Sequence, residues 1–292
     1  MKQTDSAFNN ILDLANTLEV PEAYLRHMAN IACKSYKCRQ EPKPSGGTRK
    51  ISSPNKPLKK LQKTLHKKLF SKLIHSMHSH YGLKGKSNIT NALVHRDNRV
   101  TFSCDLKSFF PSVSPKRVMN AFIEEIKIPS EVAKLLTRLV THDYQLPQGA
   151  PTSTDIANLV TLRLQRRLYG LTKSWGLKDF SILADDITFS GDRISDGFEE
   201  MVYRIIKEEG FTIHPDKSQK ADKSKSQIIT GLNVAHGVTV GNKKKNWRAE
   251  LHNNAVCFRN GEISNDEYIA SLQKYNSRLI YAKSVRKIAA SR

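Results

Sequence analysis

Ser181 to Gly191 read Ser-Ile-Leu-Ala-Asp-Asp-Ile-Thr-Phe-Ser-Gly, two short runs of strand-forming residues joined through the adjacent carboxylates Asp185 and Asp186. A two-residue turn between β-favouring arms predicts a hairpin that projects both carboxylates at one tip. An isolated Asp-Asp pair is ordinary turn chemistry, because Asp bonds its own backbone. Asp105 changes its meaning. It closes a run in which Val100, Phe102 and Cys104 point one way while Thr101, Ser103 and Asp105 point the other. Three carboxylates gathered at a strand end and a hairpin tip repel one another unless cations sit between them.

Lys and Arg number 48 against 27 Asp and Glu in 292 residues, a formal charge of +21, and the basic residues recur along the whole length. A partner rich in phosphate follows. In that setting Mg²⁺ suits hard oxygen ligands, and two ions about 3.5–4 Å apart activate an attacking hydroxyl and stabilise a leaving pyrophosphate. The chemistry is nucleotidyl transfer. No run of about 18 apolar residues occurs. Met1 to Asn10 lack the basic-then-apolar layout of a signal peptide, so a soluble cytoplasmic protein with no membrane partner is expected. Cys33, Cys38, Cys104 and Cys257 show no C-x-x-C spacing, which fits a reducing compartment and argues against a zinc knuckle. His75, His78 and His80 lie close together without a partner pair at a zinc spacing; a polar helix end or RNA-facing histidines are expected instead.

The elements that must position these groups follow from periodicity. Residues 1 to about 45 read as helices and then a turn, with Ile11, Leu12, Leu14, Ala15 and Leu18 at helical spacing and Pro42, Pro44, Gly46 and Gly47 at the end. Thr48 to Pro54 form a short strand. The next helix puts Leu58, Leu61, Leu65, Leu69 and Leu73 on one face and Lys59, Lys60, Lys63, Lys67 and Lys68 over much of the rest. Ser114 caps a helix with Pro115 at its first position, and another starts after Pro129 and Ser130. The loop Leu146 to Ser153 leads into one long helix carrying Ile156, Leu159, Val160, Leu164 and Leu168. Phe198, Met201, Val202, Ile205 and Ile206 make an amphipathic stripe that Gly210 stops, and Phe211 to His214 are expected to be a strand. Beyond Ile228 strands are expected around the lysine run Lys243 to Lys245, then a helical tail with Tyr268, Leu272, Tyr275 and Leu279 on one face. Strand, helices, hairpin, helix and strand make an α+β fold, its antiparallel sheet covered by helices on one face.

Over residues 45 to 290 these motifs, in this order, resemble the reverse transcriptases, and most closely those of bacterial retrons. Cys104 to Ser112 resemble the family's first metal-binding motif. The resemblance implies that Asp105 and the carbonyl of Leu106 are ligands, and that Phe110 is a bulky gate against a ribose 2′-OH. Leu146 to Ser153 resemble the nucleotide- and template-positioning loop, in which Gly149 permits close backbone approach and Gln148 offers donors. Ala184, Asp185 and Asp186 match the catalytic hairpin, although Leu183 stands where the family usually has Tyr or Phe. Lys217 resembles the lysine that protonates the leaving pyrophosphate. Arg49 resembles the fingers residue that grips the triphosphate. Asn91 to His95 resemble the retron N-A-x-x-H motif, and Ile229-Thr230-Gly231 the V-T-G motif with Ile for Val.

The resemblance implies a right-hand polymerase with an N-terminal helical extension over 1–44, fingers and palm over 45–233, and a mainly helical, RNA-binding thumb over 234–292. It implies RNA contacts at Asn91, His95, Thr230, Gly231, Lys243, Lys244, Lys245 and Arg248, and catalysis by Asp105, Asp185, Asp186 and Lys217. Two Mg²⁺ ions are the implied cofactor, with Mn²⁺ as a substitute, and dNTPs are the substrates. The expected partners are a cognate structured non-coding RNA, its DNA copy primed from an RNA 2′-OH, and an effector or toxin protein in anti-phage defence. Two alternatives remain open at this point: a reverse transcriptase of the intron or diversity-generating type, and a catalytically silent RNA-binding scaffold.

Overall fold

The computed structural model describes residues 9–43, 46–73 and 75–291. Residues 1–8 of the polar N-terminal stretch and Pro44 of the expected turn lie outside these. Helices α1 (Ile11–Leu18) and α2 (Glu22–Ile31) open the chain, and the Asn10 side chain caps α1 by accepting from the Asp13 amide. Just ahead of the expected turn, where helix is expected, a strand appears. β1 (Tyr36–Pro42) pairs antiparallel with β2 (Thr48–Pro54), from Tyr36 opposite Pro54 to Pro42 opposite Thr48. β1 is almost wholly exposed, so no apolar alternation marks it; backbone pairing with β2 holds it. α1 and α2 bury Leu14, Leu18, Leu25 and Met28 in the same core as Phe102 and Phe189 of the sheet.

α3 (Lys56–Lys68) is capped by Asn55 and buries Leu58, Leu61 and Leu65. It ends before Leu69, and a single 3₁₀ turn, Phe70–Lys72, carries the chain onward, so the expected helical face stops short of Leu73. α4 (Asn88–Val94) starts with a reciprocal Ser87–Thr90 capping box. After β3 (Val100–Asp105) come the short α5 (Phe109–Ser112), then α6 (Pro115–Ile126) behind its Ser114 cap, and α7 (Ser130–Val140). The long helix expected after the 146–153 loop is two helices, α8 (Ser153–Val160) and α9 (Leu162–Ser174). The break falls at Thr161, whose hydroxyl donates to the carbonyls of Ala157 and Asn158.

β4 (Asp179–Leu183) and β5 (Asp186–Gly191) form the aspartate hairpin, and α10 (Phe198–Glu208) follows. Gly210, at φ 72°, ends that helix as its spacing predicts. Phe211 to His214 do not form a strand; they make two backbone bonds to the end of β3, Lys107 N–H to the Thr212 carbonyl at 2.7 Å and His214 N–H to the Asp105 carbonyl at 2.8 Å. Phe211 is a core anchor, packed on Phe109 with the Arg117 guanidinium 3.9 Å over its ring. The strand that completes the sheet is β6 (Gln219–Asp222), in which only Ala221 is buried. Sheet order is β4-β5-β3-β6, with every pairing antiparallel. Phe102, Phe180 and Phe189 of this sheet meet Phe198 of α10 in one aromatic cluster, with Phe189 and Phe198 centroids 5.1 Å apart.

A small hairpin, β7 (Ile228–Ile229) and β8 (Leu232–Asn233), belongs to a second apolar cluster with Ile89, Ala92, Val234, Val238, Ala282 and Val285. The lysine run opens a helix, α11 (Lys243–Arg259), rather than lying among strands. α12 (Asn265–Ala290) packs back on α11, where Phe258 stacks on Tyr268 at 4.8 Å and Glu250 pairs with Lys274 and Arg278. Tyr268, Leu272, Tyr275 and Leu279 are half-buried. Among the described residues no helix is long and apolar enough to cross a membrane. The fold is α+β.

Candidate active site

The β4–β5 turn consists of Ala184 and Asp185, with Ala184 at φ 59° in the left-handed region. Asp186 is therefore the first residue of β5, not a second tip residue, and it sits directly across the ladder from Asp105 at the end of β3. The Leu106 amide donates to the Asp185 carbonyl at 3.0 Å, which ties the turn to the strand carrying Asp105. All three carboxylates meet at one end of the sheet. Burial, then Asp185 and Asp105, push Asp186 up to about 7; burial, then Asp105, also raise Asp185. Lys217 relieves part of that repulsion, its ammonium 3.1 and 3.2 Å from the two Asp105 oxygens.

Among the described residues no three His, Cys, Asp or Glu side chains already converge on one point at ligand distance. The donor set nevertheless suits a hard divalent cation: it is all oxygen, partly buried, and short of positive charge. Leu106 buries its side chain and keeps only backbone for this purpose. An open cleft of about 640 Å³ runs from Asp105, Asp186 and Lys217 past Leu183 to Thr230 and Gly231. Gly231, at φ 84°, accepts from the Lys243 ammonium at 2.7 Å through its carbonyl, and a Cβ there would lie 2.8 Å from that nitrogen. The Thr230 hydroxyl donates to the Asn88 carbonyl at 3.2 Å. The turn and the head of the lysine run, distant in sequence from the aspartates, thus stand beside the cleft. Lys244, Lys245 and Arg248 are exposed further along α11.

Three of the residues expected to hold a nucleotide, Arg49, Gln148 and Gly149, fall on two segments that touch. Arg49 lies on β2, exposed, and pairs with Glu41 at 3.2 Å on the neighbouring strand. The Ser52 amide of the same strand donates to the Gln148 carbonyl at 2.8 Å. Gly149 adopts φ 114°, and a Cβ there would meet Ile51 Cγ2 at 3.0 Å and the Ser52 carbonyl at 3.3 Å, so only glycine lets loop and strand approach this closely. Phe110 is half-buried, edge-on to Tyr81 with centroids 6.3 Å apart. Tyr81 is a residue that motif reading missed. Burial raises the pKa of its hydroxyl, and its carbonyl accepts from Asn158 at 2.9 Å. A single tyrosine before Gly82 carries no local signal of this position.

Asn91 and His95 are corrected from the RNA surface to the interior, for both are fully buried. His95 sits 2.6 Å from the Ser190 hydroxyl through Nδ1 and 2.7 Å from the Ser181 hydroxyl through Nε2, so it joins α4 to both strands of the aspartate hairpin. Burial pushes its pKa down to about 3, leaving the ring neutral. His80 is likewise interior, 2.8 Å from Thr90, and the half-buried His78 lies against Tyr169 in a tilted contact with centroids 4.3 Å apart. His80 and His95 support α4 and the hairpin from the interior.

An antiparallel sheet carrying three carboxylates at one end, with helices behind it and a helical pair after it, is the right-hand polymerase fold of fingers, palm and thumb. Residues 41–234 match the family model described as reverse transcriptase (RNA-dependent DNA polymerase). The chain belongs to this family, among the retron reverse transcriptases. It is 33% identical over 269 residues to the Retron Mx65 reverse transcriptase of Myxococcus xanthus, covering 83% of this chain and 62% of that protein. It is 34% identical to the Retron Se72 reverse transcriptase of Salmonella heidelberg, covering 65% of this chain and 52% of that protein. The Retron Ec73 reverse transcriptase of Escherichia coli is 30% identical, with 83% and 81% covered. The chain thus spans between half and two thirds of the length of the first two relatives. Among solved structures, a telomerase from Candida albicans in complex with a telomeric RNA fragment superposes with a TM-score of 0.47 at 12% identity, covering 70% of this chain and 46% of that one, a loose likeness.

Proposed function

We propose that this chain is an RNA-directed DNA polymerase that copies part of its own structured non-coding RNA. The observation that carries the reading is Asp105 opposite Asp186, with Asp185 at the adjoining turn, on the wall of a cleft that continues to Thr230 and Gly231. Two Mg²⁺ ions, or Mn²⁺ in their place, held by Asp105, Asp185, Asp186 and the Leu106 carbonyl, would supply an activated attacking hydroxyl and charge neutralisation at the leaving pyrophosphate. The protein's own groups do the positioning. Gln148 and Gly149 present loop backbone and amide donors to the dNTP, and Arg49 exchanges Glu41 for phosphate oxygens. Phe110 fills the space that a ribose 2′-OH would need. Lys217 Nζ, now on Asp105, is the acid that delivers a proton to pyrophosphate.

In this reading residues 45–233 are fingers and palm, 234–292 the thumb and 1–44 an N-terminal extension, whose helices α1 and α2 pack into the same core. Thr230, Gly231, Lys243, Lys244, Lys245 and Arg248 hold RNA backbone, contributing affinity more than sequence choice. DNA synthesis starts from an RNA 2′-OH and yields a branched RNA–DNA product, and an effector protein completes an anti-phage system. Four unpaired cysteines suit the cytoplasm. The test is Mg²⁺-dependent dNTP incorporation on a primed RNA template by wild type and by an Asp185→Asn, Asp186→Asn double variant. Equal incorporation by both would end the polymerase reading. Co-purifying nucleic acid that is DNase-sensitive and shifts after debranching would support the branched product; linear cDNA would remove it.

A further inference from the structure

The cleft does not account for the most concentrated positive surface on an element with no acidic residue. α3 carries Lys56, Lys59, Lys60, Lys63 and Lys67 within one exposed face opposite its buried leucines, and the helix has neither Asp nor Glu. Among the described residues none of these five lysines makes an ion pair; the neighbouring Lys68 takes Glu19. From Lys56 to Lys67 the face runs about 16 Å at 1.5 Å per residue. Five cations in one stripe repel each other, with Glu19 near the Lys67 end offsetting part of the charge, and a polyanion laid along them removes the remaining cost.

A second feature adjoins it. Val20, Pro21 and Tyr24 from the turn into α2 and Leu61 and Thr64 of α3 line an apolar notch of about 280 Å³, with Lys60 on its rim. Tyr24 is half-buried at the notch. The notch shares no residue with the carboxylate cleft. Aromatic and apolar surface beside a row of cations is the pairing that takes single-stranded nucleic acid, with phosphates on the lysines and a base against the ring. A fully paired helix offers phosphates but keeps its bases stacked inside, and would leave the notch empty.

We infer that the α2–α3 surface is a second RNA site, separate from the cleft, which holds an unpaired segment of the RNA with its backbone on Lys59, Lys60, Lys63 and Lys67 and a base against Tyr24. This deepens the RNA-binding part of the proposed function and rests on it. The site would keep the enzyme on its RNA while the cleft works on a different part of the same molecule.

The experiment uses the full chain and two probes: a short blunt primer–template, and the same duplex with a single-stranded oligouridylate extension. A K59Q/K60Q/K63Q/K67Q variant, changed only at exposed positions, should lose at least tenfold in affinity for the extended probe. Its salt dependence should flatten, the slope of log K against log salt falling by about 3 for four single-strand phosphate contacts. Binding to the blunt probe should not change. Tyr24→Leu should weaken the extended probe several-fold and leave the slope as it is. Wild-type affinity and slope for the quadruple variant on the extended probe would overturn the proposal and return this face to solvent or a protein partner. Binding is read without dNTPs, so a chain that binds RNA but incorporates nothing is told apart from one lacking this site.

Discussion

Lys217 places its ammonium 3.1 and 3.2 Å from the two carboxylate oxygens of Asp105, a residue 112 positions earlier in the chain. In the proposed mechanism ammonium and divalent cation would compete for the same oxygens, and the lysine would have to release Asp105 before acting on pyrophosphate. Lys217→Gln should bind Mn²⁺ several-fold more tightly in the absence of nucleotide, as read by electron paramagnetic resonance. The same variant should incorporate dNTPs about a hundredfold more slowly, the loss typical of a missing general acid. Unchanged Mn²⁺ affinity would show that the two cations do not share a position.

The carboxylate cluster should make the metal-free protein less stable as pH rises. Asp186 is held near 7 in the folded chain and returns to its ordinary value of 3.8 when unfolded, so the folded state binds the extra proton between those limits. Its stabilising share is full below about pH 4 and is lost as pH climbs through 7, by at most ~1.4 kcal/mol per pH unit. Urea unfolding in chelator at pH 5 and pH 8 measures the slope. Asp186→Asn should flatten it and raise stability at pH 8, while abolishing incorporation.

His95 works in the opposite direction. Its folded pKa near 3 lies below the ordinary histidine value of 6.5, so the unfolded chain takes up a proton that the folded one refuses. Stability is full above about pH 6.5 and falls as pH drops toward 3. In the Asp186→Asn background, where the opposing carboxylate slope is reduced, urea unfolding between pH 7 and pH 4 should show that loss. His95→Leu should remove the acid sensitivity and cost about 2–4 kcal/mol, since the buried Ser181 hydroxyl loses its partner. A variant with unaltered RNA affinity and lowered stability would fit an interior histidine; the reverse would restore the RNA-contact role.

Tyr81 should matter to sugar discrimination through Phe110. Phe110→Val should raise incorporation of ribonucleotides relative to deoxyribonucleotides by at least tenfold if that ring is the gate. Tyr81→Leu removes the edge-on neighbour 6.3 Å away and should produce a smaller rise, whereas Tyr81→Phe, which keeps the ring, should stay near wild type. Ratios of kcat/KM for dNTP and rNTP are the measurement. A rise in Phe110→Val with none in Tyr81→Leu would separate the tyrosine from the gate.

Much of the helical framework was legible because helices write their burial into local spacing. Ser114 before Pro115, the stripe from Phe198 to Ile206 and the stop at Gly210 all appear where their residue types require. Asp105, Asp185 and Asp186 were legible as a group because strand alternation and hairpin chemistry each place a carboxylate at an element's end. Strands held mainly by partners were not. β1 and β6 expose nearly every side chain, so their ladders are set by backbone bonds to β2 and β3 that no local pattern records. Nor can spacing tell a surface histidine from His95, whose hydroxyl partners lie 86 and 95 residues away. The sequence by itself determined which groups could do the chemistry and where the amphipathic helices with an apolar stripe would lie, though not α11, whose lysine run it placed among strands. Only the tertiary structure decided which side chains are buried, which cation sits on Asp105, and which lysines remain without a partner, because burial and charge balance are properties of surfaces brought together from distant parts of the chain.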